Sequence, residues 1–338
     1  MAKYTFKDFK SNQEVRWCPG CGDHAVLTAL QRALPELAEK MDLPKENFVV
    51  VSGIGCSSRL PYYMDTYGFH SIHGRATAIS SGIKVARPDL CVWQACGDGD
   101  ALAIGGNHFI HAIRRNVDIN LVLFNNRIYG LTKGQYSPTS KLGAITKTSP
   151  YGTVEPPFIP GSLVLGAKGT FFARSLDVDL NLNVEIMLQA GLHKGCSVIE
   201  MLTNCVIFNN GAHKELSDPA FKADRTIVLR HGEKMIFGAR KDKGLVLDGM
   251  SLKVVTIGEN GITEDDILTH DAHNPYMGLH ILLSEMHGPD FPVALGVIRD
   301  VEAPTYDREV TRQVEEVSAA AKIHSMDDLL HSGTTWAV

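Results

Sequence analysis

Hydrophobic residues along the first two thirds of the chain follow two different spacings. Short segments made up mostly of apolar residues, typical of strands buried on both faces, occur at 48–51, 90–95, 120–124 and 197–201. Apolar residues three or four positions apart, typical of helices, occur at 76–85, 102–113 and 181–194. Because strands and helices alternate, we predict an α/β fold in which a parallel sheet is flanked by helices.

The earliest helix is predicted to begin near Asp23, a residue type that caps helix N-termini. Its apolar residues at helical spacing are Val26, Ala29, Leu30, Ala33, Leu34 and Leu37. Proline lacks a backbone N–H and clashes with the preceding turn, so we expect Pro35 to kink or shorten this helix.

Two stretches depart from the alternation. Residues 125–169 are rich in Gly, Ser, Thr and Pro and are too long for an ordinary connection, which predicts a functional loop. Beyond about residue 210 the alternation fades, and the chain from Arg299 onward is expected to pack on the main domain or on another subunit. We therefore predict a core at 1–210 and a C-terminal part at 211–338 that completes the domain and packs on a partner subunit.

Composition narrows the class of protein. The chain is 44% hydrophobic and 21% charged, with a formal net charge of -5 and no long run of either sign. This balance is typical of a globular protein and favours neither nucleic acid nor an anionic membrane surface. The first ten residues lack the apolar core of a signal peptide, and no apolar run is long enough to span a bilayer. We expect a cytoplasmic protein.

Seven cysteines in such a protein indicate metal binding or simple burial rather than disulfides. A C-x-x-C pair lies in the Trp-Cys-Pro-Gly-Cys-Gly segment at 17–22, one cysteine follows a glycine-rich turn at 53–58, and another lies at 204–206. Four thiolates from these segments could hold a cubane iron-sulfur cluster. The cysteines by themselves do not distinguish such a cluster from a zinc site.

A second chemical signal lies where two consecutive predicted strands end. Gly-Asp-Gly-Asp at 97–100 follows one strand, and Asn125 and Asn126 follow the next. Ligands of open α/β sheets bind at such carboxyl ends. The glycines Gly97 and Gly99 have no Cβ and would let backbone amides approach phosphate groups.

A bound diphosphate would need a cation to neutralise its charge, and Mg²⁺ prefers a near-octahedral shell of oxygen atoms. Asp98 offers a carboxylate oxygen and Asn126 an amide oxygen. The backbone carbonyl of Ile128 could complete the protein's share.

Gly-Asp-Gly, a spacer of about 25 residues and Asn-Asn resemble the diphosphate-binding pattern of thiamine-diphosphate enzymes. Together with the cysteine segments in their order, the chain from Trp17 to about residue 300 resembles the beta subunit of 2-oxoacid:ferredoxin oxidoreductases. The resemblance implies a thiamine-diphosphate-binding domain of the pyrophosphate type with a C-terminal extension, and it implies that the 1–210 core holds thiamine diphosphate, Mg²⁺ and a [4Fe-4S] cluster.

The resemblance also implies roles for individual residues. Cys18, Cys21, Cys56 and Cys205 match the positions that hold the [4Fe-4S] cluster. The remaining thiols lie on or beside predicted buried strands and are expected to be small core residues; they are Cys91, Cys96 and Cys196.

Cofactor contacts are implied for residues around the motif. His73 is expected near the cofactor phosphates, and Asp100 belongs to the same phosphate-binding segment. The family's segment after Asn126 places Leu131 and Thr132 beside the cofactor, with Thr132 close to the reactive thiazolium.

Arg59 matches a position that faces the substrate and often carries a basic group. Because arginine binds a distal carboxylate with two parallel hydrogen bonds, a dicarboxylate is favoured over pyruvate. The segment at 131–140 also looks more like that of the 2-oxoglutarate enzymes.

The implied reaction is oxidative decarboxylation of 2-oxoglutarate with coenzyme A to succinyl-CoA and CO2, with electrons passing through the cluster to ferredoxin. An alpha subunit supplies a glutamate that activates the cofactor, so an obligate heteromer is expected, with two copies of each chain (alpha2beta2). Alternatives are pyruvate or broad 2-oxoacid specificity, a non-redox thiamine-dependent decarboxylase or synthase subunit, and a zinc-stabilised interaction subunit without catalysis.

Overall fold

A central sheet and its covering helices make up most of the protein, for which a computed structural model describes residues 4–334 and 336. The strands are β1 Phe48–Ser52, β2 Tyr67–His70, β3 Cys91–Gly97, β4 Asn120–Asn125, β5 Phe171–Leu176, β6 Ser197–Leu202, β7 Thr226–Leu229, β8 Ile236–Phe237, β9 Lys243–Asp248, β10 Ser251–Thr256 and β11 Val293–Asp300. The α-helices are α1 Asp23–Lys40, α2 Ala76–Ala86, α3 Gly106–Arg115, α4 Pro160–Gly166, α5 Leu180–Leu192, α6 Lys214–Ser217, α7 Lys222–Arg225, α8 Gly278–Glu285, α9 Tyr306–Ala320 and α10 Met326–Leu330.

Eight of the strands form one sheet in the order β2-β1-β3-β4-β6-β5-β11-β7. Neighbouring strands are parallel except β5 and β11, which pair antiparallel. The predicted α/β class with a parallel sheet flanked by helices is confirmed, with two strands at one edge running in the opposite direction.

Both faces of the central strands are covered, which explains why those strands are mostly apolar. Val50 of β1 points into a core formed with α1 and α5, whereas Val49 and Val51 point into a second core that includes residues of α2 and α3. Successive side chains of a strand point to opposite faces, so each strand supplies both cores. The carboxyl ends of β1, β3 and β4 are left together at one edge, where loops can form a site.

Helix α1 continues through Pro35 to Lys40, so the expected shortening is wrong. Its buried residues pack against α5, and the approach is close: a Cβ on Gly191 of α5 would lie 2.6 Å from Leu37. Burial of this face outweighs the one backbone hydrogen bond that proline removes. None of the described helices combines the length and the apolar character needed to cross a membrane.

The long segment predicted as a loop at 125–169 is irregular from residue 126 to residue 159 and then enters α4. Strands β2 and β5 were not predicted. Strand β5 contains the charged Arg174, which interrupts its apolar run, and that charge is neutralised by Glu200 on the neighbouring strand β6, 2.7 Å away. A partner 26 residues away leaves no local signal in the sequence.

The C-terminal part contributes β7 and β11 to the main sheet and β8 to β10 to a small antiparallel sheet. The chain after β11 is attached to the main domain at the start of α9, because Asp307 accepts a hydrogen bond from the backbone N–H of Asp118 at 3.0 Å. Further along α9, Val314 and Val317 are exposed.

Candidate cofactor site

A cavity of about 140 Å³ lies at the carboxyl ends of β1, β3 and β4. Its walls come from the loop that follows each strand, at 54–57, 97–100 and 126–132, together with His73. The two halves of the Gly-Asp-Gly and Asn-Asn pattern therefore face one space, as expected for motifs at neighbouring strand ends. The glycine-rich turn that carries Cys56 faces the same space.

Asp98 lies directly after β3 and is 2% exposed. Its Oδ2 accepts hydrogen bonds from the hydroxyls of Ser137 and Thr139, each at 2.5 Å. Burial raises the pKa of the Asp98 carboxyl, and the two hydroxyls act in the opposite direction. A cation beside this carboxylate would offset the cost of burying its charge.

Asn126 and Ile128 begin the loop after β4. The side-chain oxygen of Asn126 accepts a hydrogen bond from the Ile128 N–H at 3.0 Å, which holds it in a tight turn. In the described part of the chain, the Ile128 carbonyl accepts no hydrogen bond outside regular secondary structure. Together with Asp98, these residues line the cavity with the oxygen atoms that Mg²⁺ prefers.

Asp100 is buried and forms hydrogen bonds to two loops. Its Oδ1 accepts hydrogen bonds from the backbone N–H of Gly74 at 2.7 Å and of Ile54 at 3.1 Å, and it lies 2.5 Å from Nδ1 of His73. The carboxylate therefore orients the His73 ring, which leaves Nε2 as the ring nitrogen available to a ligand in the cavity.

The two glycines of the motif are required for different reasons. A Cβ on Gly99 would lie 2.2 Å from the ring of Tyr129, whose hydroxyl donates to the Gly99 carbonyl at 2.9 Å. A Cβ on Gly97 would come no closer than 3.6 Å to any other part of the protein, at Ser57 Oγ. Packing against Tyr129 thus explains why residue 99 is a glycine. At Gly97, by contrast, the lack of a side chain leaves open space at the cavity wall.

Leu131 and Thr132 lie at the exposed side of the cavity. Thr132 Oγ1 donates to the side-chain oxygen of Gln135 at 2.5 Å, and the Gln135 amide donates back to the Thr132 carbonyl at 2.9 Å. The reciprocal pair holds Thr132 at a defined position on the rim.

The C-x-x-C segment forms a tight turn. The N–H of Cys21 donates to the carbonyl of Cys18 at 3.0 Å, and Gly20 has φ +81°, a conformation that favours glycine. Proline followed by glycine at the centre of the turn is the pattern of a type II turn. The two cysteines are thereby held close together.

The remote cysteines are brought to this turn by the fold. Gly22 donates its N–H to the Asn204 carbonyl at 3.1 Å, which places the turn against the segment that contains Cys205. The indole N–H of Trp17 donates to the Cys56 carbonyl at 2.7 Å. A Cβ on Gly130 would lie 3.4 Å from the Cys205 sulfur and 3.7 Å from the Cys56 sulfur, so both thiols flank the loop that borders the cavity.

The charge environment also indicates that these thiols share one region. Burial raises the pKa of Cys56 to about 11, the nearby side chains of Asp23, Cys205 and Cys18 add to the effect, and the cation of Arg59 opposes it. Burial likewise raises the pKa of Cys21. Over the described residues, no three His, Cys, Asp or Glu side chains converge closely enough to hold one metal ion.

The other three cysteines are buried in the two cores, as predicted: Cys91, Cys96 and Cys196. Arg59 is half-buried on the short helix Ser57–Tyr63, and within the described part of the chain it has no carboxylate at ion-pair distance. It lies near Cys56 but does not line the cavity.

Sequence reasoning overlooked several buried polar residues behind the site. Ser137 and Thr139 contact Asp98, and the side chain of Asn125 is directed away from the cavity to Glu200, with its amide 2.7 Å from Oε1. The sequence feature that could have indicated them is the Ser-Pro-Thr-Ser stretch at 137–140, whose hydroxyl groups were given no role.

Comparison with known proteins identifies what the chain is similar to. Residues 53–201 match the family described as "Thiamine pyrophosphate enzyme, C-terminal TPP binding domain". The chain is 48% identical to 2-oxoglutarate oxidoreductase subunit KorB of Mycobacterium tuberculosis over 335 residues, which cover 98% of this chain and 88% of that protein. It is 47% identical to 2-oxoglutarate synthase subunit KorB of Archaeoglobus fulgidus over 189 residues, or 56% and 69% of the two chains.

A solved structure is similar over nearly the whole length. It is 2-oxoglutarate:ferredoxin oxidoreductase from Magnetococcus marinus with 2-oxoglutarate, coenzyme A and succinyl-CoA bound. The TM-score is 0.77 at 30% sequence identity, and the match covers 99% of this chain and 98% of the other.

The contact between Gly99 and Tyr129 can be tested by adding one methyl group. The Gly99 backbone has φ -67° and ψ -35°, which alanine adopts freely, so the cost of Gly99→Ala comes from the ring alone. We expect a loss of about 1–3 kcal/mol in the free energy of unfolding, measured by urea denaturation. Gly106→Ala, which meets no atom within 4 Å, should be neutral or slightly stabilising. In a double-mutant cycle, Tyr129→Ala should relieve part of the Gly99→Ala cost, and strictly additive effects would contradict the interpretation.

Proposed function

This chain belongs to the family of beta subunits of 2-oxoacid:ferredoxin oxidoreductases, and on that premise we propose that its enzyme oxidatively decarboxylates 2-oxoglutarate. The chain is a subunit of a thiamine-dependent oxidoreductase. The observation that carries the proposal is that Asp98, Asn126 and Cys56 line one cavity. A cofactor held by the first two would release electrons next to a thiolate ligand of an acceptor.

The proposed reaction consumes 2-oxoglutarate, coenzyme A and two oxidised ferredoxins. The bond between C1 and C2 breaks to release CO2, the coenzyme A sulfur bonds to C2, and the products are succinyl-CoA, two reduced ferredoxins and a proton. Bound thiamine diphosphate would supply the nucleophilic carbon that bonds to C2 and the thiazolium ring that takes up the electron pair when the carbon-carbon bond breaks. The residues of this chain bind, orient and neutralise charge around that chemistry.

We assign the cofactor's diphosphate and its Mg²⁺ to the ends of β3 and β4. The buried carboxylate of Asp98, the amide oxygen of Asn126 and the carbonyl of Ile128 form a set of hard oxygen donors that suits this cation. The open space at Gly97 allows phosphate oxygens to approach backbone amides. His73, oriented by Asp100, would face the phosphates through Nε2.

Cys18, Cys21, Cys56 and Cys205 would hold a [4Fe-4S] cluster, which transfers single electrons. A cluster suits the proposed reaction better than zinc, because zinc has no redox chemistry and could not accept an electron from the cofactor.

Arg59 would bind the distal carboxylate of the substrate. The half-buried guanidinium lies near Cys56 and has no carboxylate within ion-pair distance in the described chain, so it is available to bind an anion. Pyruvate, with a methyl group at that end, would leave the charge unpaired. Relatives named for 2-oxoglutarate agree with this choice. Leu131 and Thr132 would border the reacting end of the cofactor.

The chain acts with partner subunits, since its relatives are subunits of larger oxidoreductases. We propose an alpha2beta2 assembly in which the alpha subunit covers the exposed side of the cavity, where Leu131 and Thr132 lie. Coenzyme A is the proposed co-substrate. A cytoplasmic location is proposed because the cysteines serve as cluster ligands or core residues and none is paired in a disulfide, as in a reducing compartment.

Cluster ligation predicts which cysteines hold iron. In the anaerobically purified enzyme, Cys56→Ala or Cys205→Ala should each lose iron, sulfide and ferredoxin reduction together, because a cubane with a missing thiolate is open to solvent. Cys91→Ala, a buried thiol in the core, should retain all three. If Cys205→Ala kept its full iron content and Cys196→Ala lost iron, Cys196 rather than Cys205 would be the fourth ligand.

Magnesium ligation predicts a separate defect. Asp98→Ala should abolish Mg²⁺-dependent binding of thiamine diphosphate, measured by calorimetry, because the diphosphate would lack its neutralising ion. Iron content should be unchanged, and Asp89→Ala, at an exposed carboxylate, should bind the cofactor normally. Normal cofactor affinity in Asp98→Ala would refute the assignment of the motif.

Substrate choice depends on Arg59. Arg59→Ala should cost about 2–4 kcal/mol in kcat/KM for 2-oxoglutarate and far less for pyruvate, because the distal carboxylate loses its partner. The kcat/KM of Arg59→Lys for 2-oxoglutarate should lie between those of the wild type and Arg59→Ala, since lysine keeps the charge but not the two parallel hydrogen bonds. Equal losses for both substrates, or a native preference for pyruvate, would show that the substrate assignment is wrong.

A further inference from the structure

Two hydroxyls of the irregular segment at 126–159 contact the carboxylate to which the proposed function assigns Mg²⁺. We propose that Ser137 and Thr139 are positioning residues that orient Asp98 for the metal and so set the affinity of the enzyme for Mg²⁺. The inference rests on the proposed function and extends it to residues that do not line the wall of the cavity around Asp98.

Both hydroxyls act on the same atom. Ser137 and Thr139 each lie 2.5 Å from Oδ2 of Asp98, short distances that are typical of hydroxyl donors on an ionised carboxylate. The other oxygen, Oδ1, accepts no hydrogen bond from a side chain in the described part of the protein. One oxygen is therefore held by two side chains, while the second has no side-chain partner among the described residues and would be the one to bind a cation.

The three side chains are buried, at 2% exposure for Asp98 and Ser137 and 3% for Thr139. Water has little access to replace a lost hydroxyl there, so removing one donor would leave a buried carboxylate partly unsatisfied. Residues that hydrogen-bond to a metal ligand fix its orientation and basicity, and their loss typically weakens metal binding by about 10–100-fold.

Thr139 also lies beside a chain of buried polar groups that crosses the sheet. Its hydroxyl lies 2.9 Å from the Asn125 side-chain oxygen, and the Asn125 amide donates to Glu200 at 2.7 Å. Glu200 in turn accepts from Arg174 at 2.7 Å, and Arg174 donates to the Ser284 carbonyl at 3.1 Å. The contacts run from β4 through β6 and β5 to α8. Thr139 has one proton, and the charge and shorter distance of Asp98 favour donation to the carboxylate.

The same segment also contacts the other half of the metal site. Ser140 accepts a hydrogen bond from the Ser137 N–H at 2.8 Å and donates its own hydroxyl proton to the Arg127 carbonyl at 2.7 Å. Arg127 lies between Asn126 and Ile128. The short stretch at 137–140 therefore links Asp98 to the strand end that carries the other proposed ligands, and it holds the two halves at a defined separation.

The test measures Mg²⁺ affinity rather than activity. The complete enzyme with its partner subunit would be depleted of metal, saturated with thiamine diphosphate and titrated with Mg²⁺ in a calorimeter. We expect Ser137→Ala and Thr139→Val each to weaken the apparent affinity by about 10–100-fold, and Thr139→Ser, which keeps the hydroxyl, to restore it. Turnover of the two deficient variants should recover at high Mg²⁺, because the ligand itself remains.

Thr153→Val is the matched control. Thr153 is a buried threonine of the same irregular segment, and its hydroxyl donates to the Lys141 carbonyl at 2.8 Å rather than to Asp98. It should lower stability without changing Mg²⁺ affinity. The inference is overturned if Thr139→Val weakens Mg²⁺ binding no more than Thr153→Val does. If Thr139→Val does not fold, wild-type Mg²⁺ affinity in Ser137→Ala overturns it.

Asp98→Ala separates this inference from the proposed function. If Asp98→Ala binds Mg²⁺ as the wild type does, the metal assignment fails and the positioning role fails with it. If Asp98→Ala loses Mg²⁺ while the Ser137 and Thr139 variants keep it, the metal assignment stands and only the positioning role is refuted.

Discussion

Burial of two carboxylates at the end of β3 is the constraint on which the rest of the site depends. A buried carboxylate needs hydrogen-bond donors, and Asp98 and Asp100 find side-chain and loop donors far along the chain. Asp100 takes them from loops at 53–54 and 73–74, and Asp98 takes them from the stretch at 137–140. Satisfying these two charges gathers three loops around one cavity.

The same loops connect the proposed cofactor and cluster regions. The loop that begins at Ile54 continues to Cys56, and the loop that begins at Asn126 continues to Gly130, which separates the Cys56 and Cys205 sulfurs. A Cβ at position 130 would lie 3.4 Å from the Cys205 sulfur and 3.7 Å from the Cys56 sulfur, which are ordinary contact distances, so this part of the loop packs against both thiols. The short path between the proposed electron donor and the proposed acceptor follows from how two strand-end loops pack.

The sheet explains which parts of the fold were predictable. Strands β1, β3, β4 and β6 are buried on both faces and are therefore mostly apolar, a pattern visible without any structure. Strand β5 was not predicted because the charged Arg174 interrupts its apolar run. The residue that neutralises this charge, Glu200, lies on another strand. Helix α1 continues through Pro35 because its buried face packs on α5. Local helix propensity does not include the free energy of this packing.

The sequence by itself determined those parts of the site whose geometry depends on residues close together along the chain. The Cys18 to Cys21 turn and the Gly-Asp-Gly segment have short-range geometry that their own residues dictate, and the spacing to Asn126 reflects one βαβ unit. Only the tertiary structure decided that Cys205 joins Cys56, that Asp100 orients His73, and that Ser137 and Thr139 hold Asp98. These contacts join residues 27 to 149 positions apart, and the order of strands in the sheet, rather than any local pattern, brings them together.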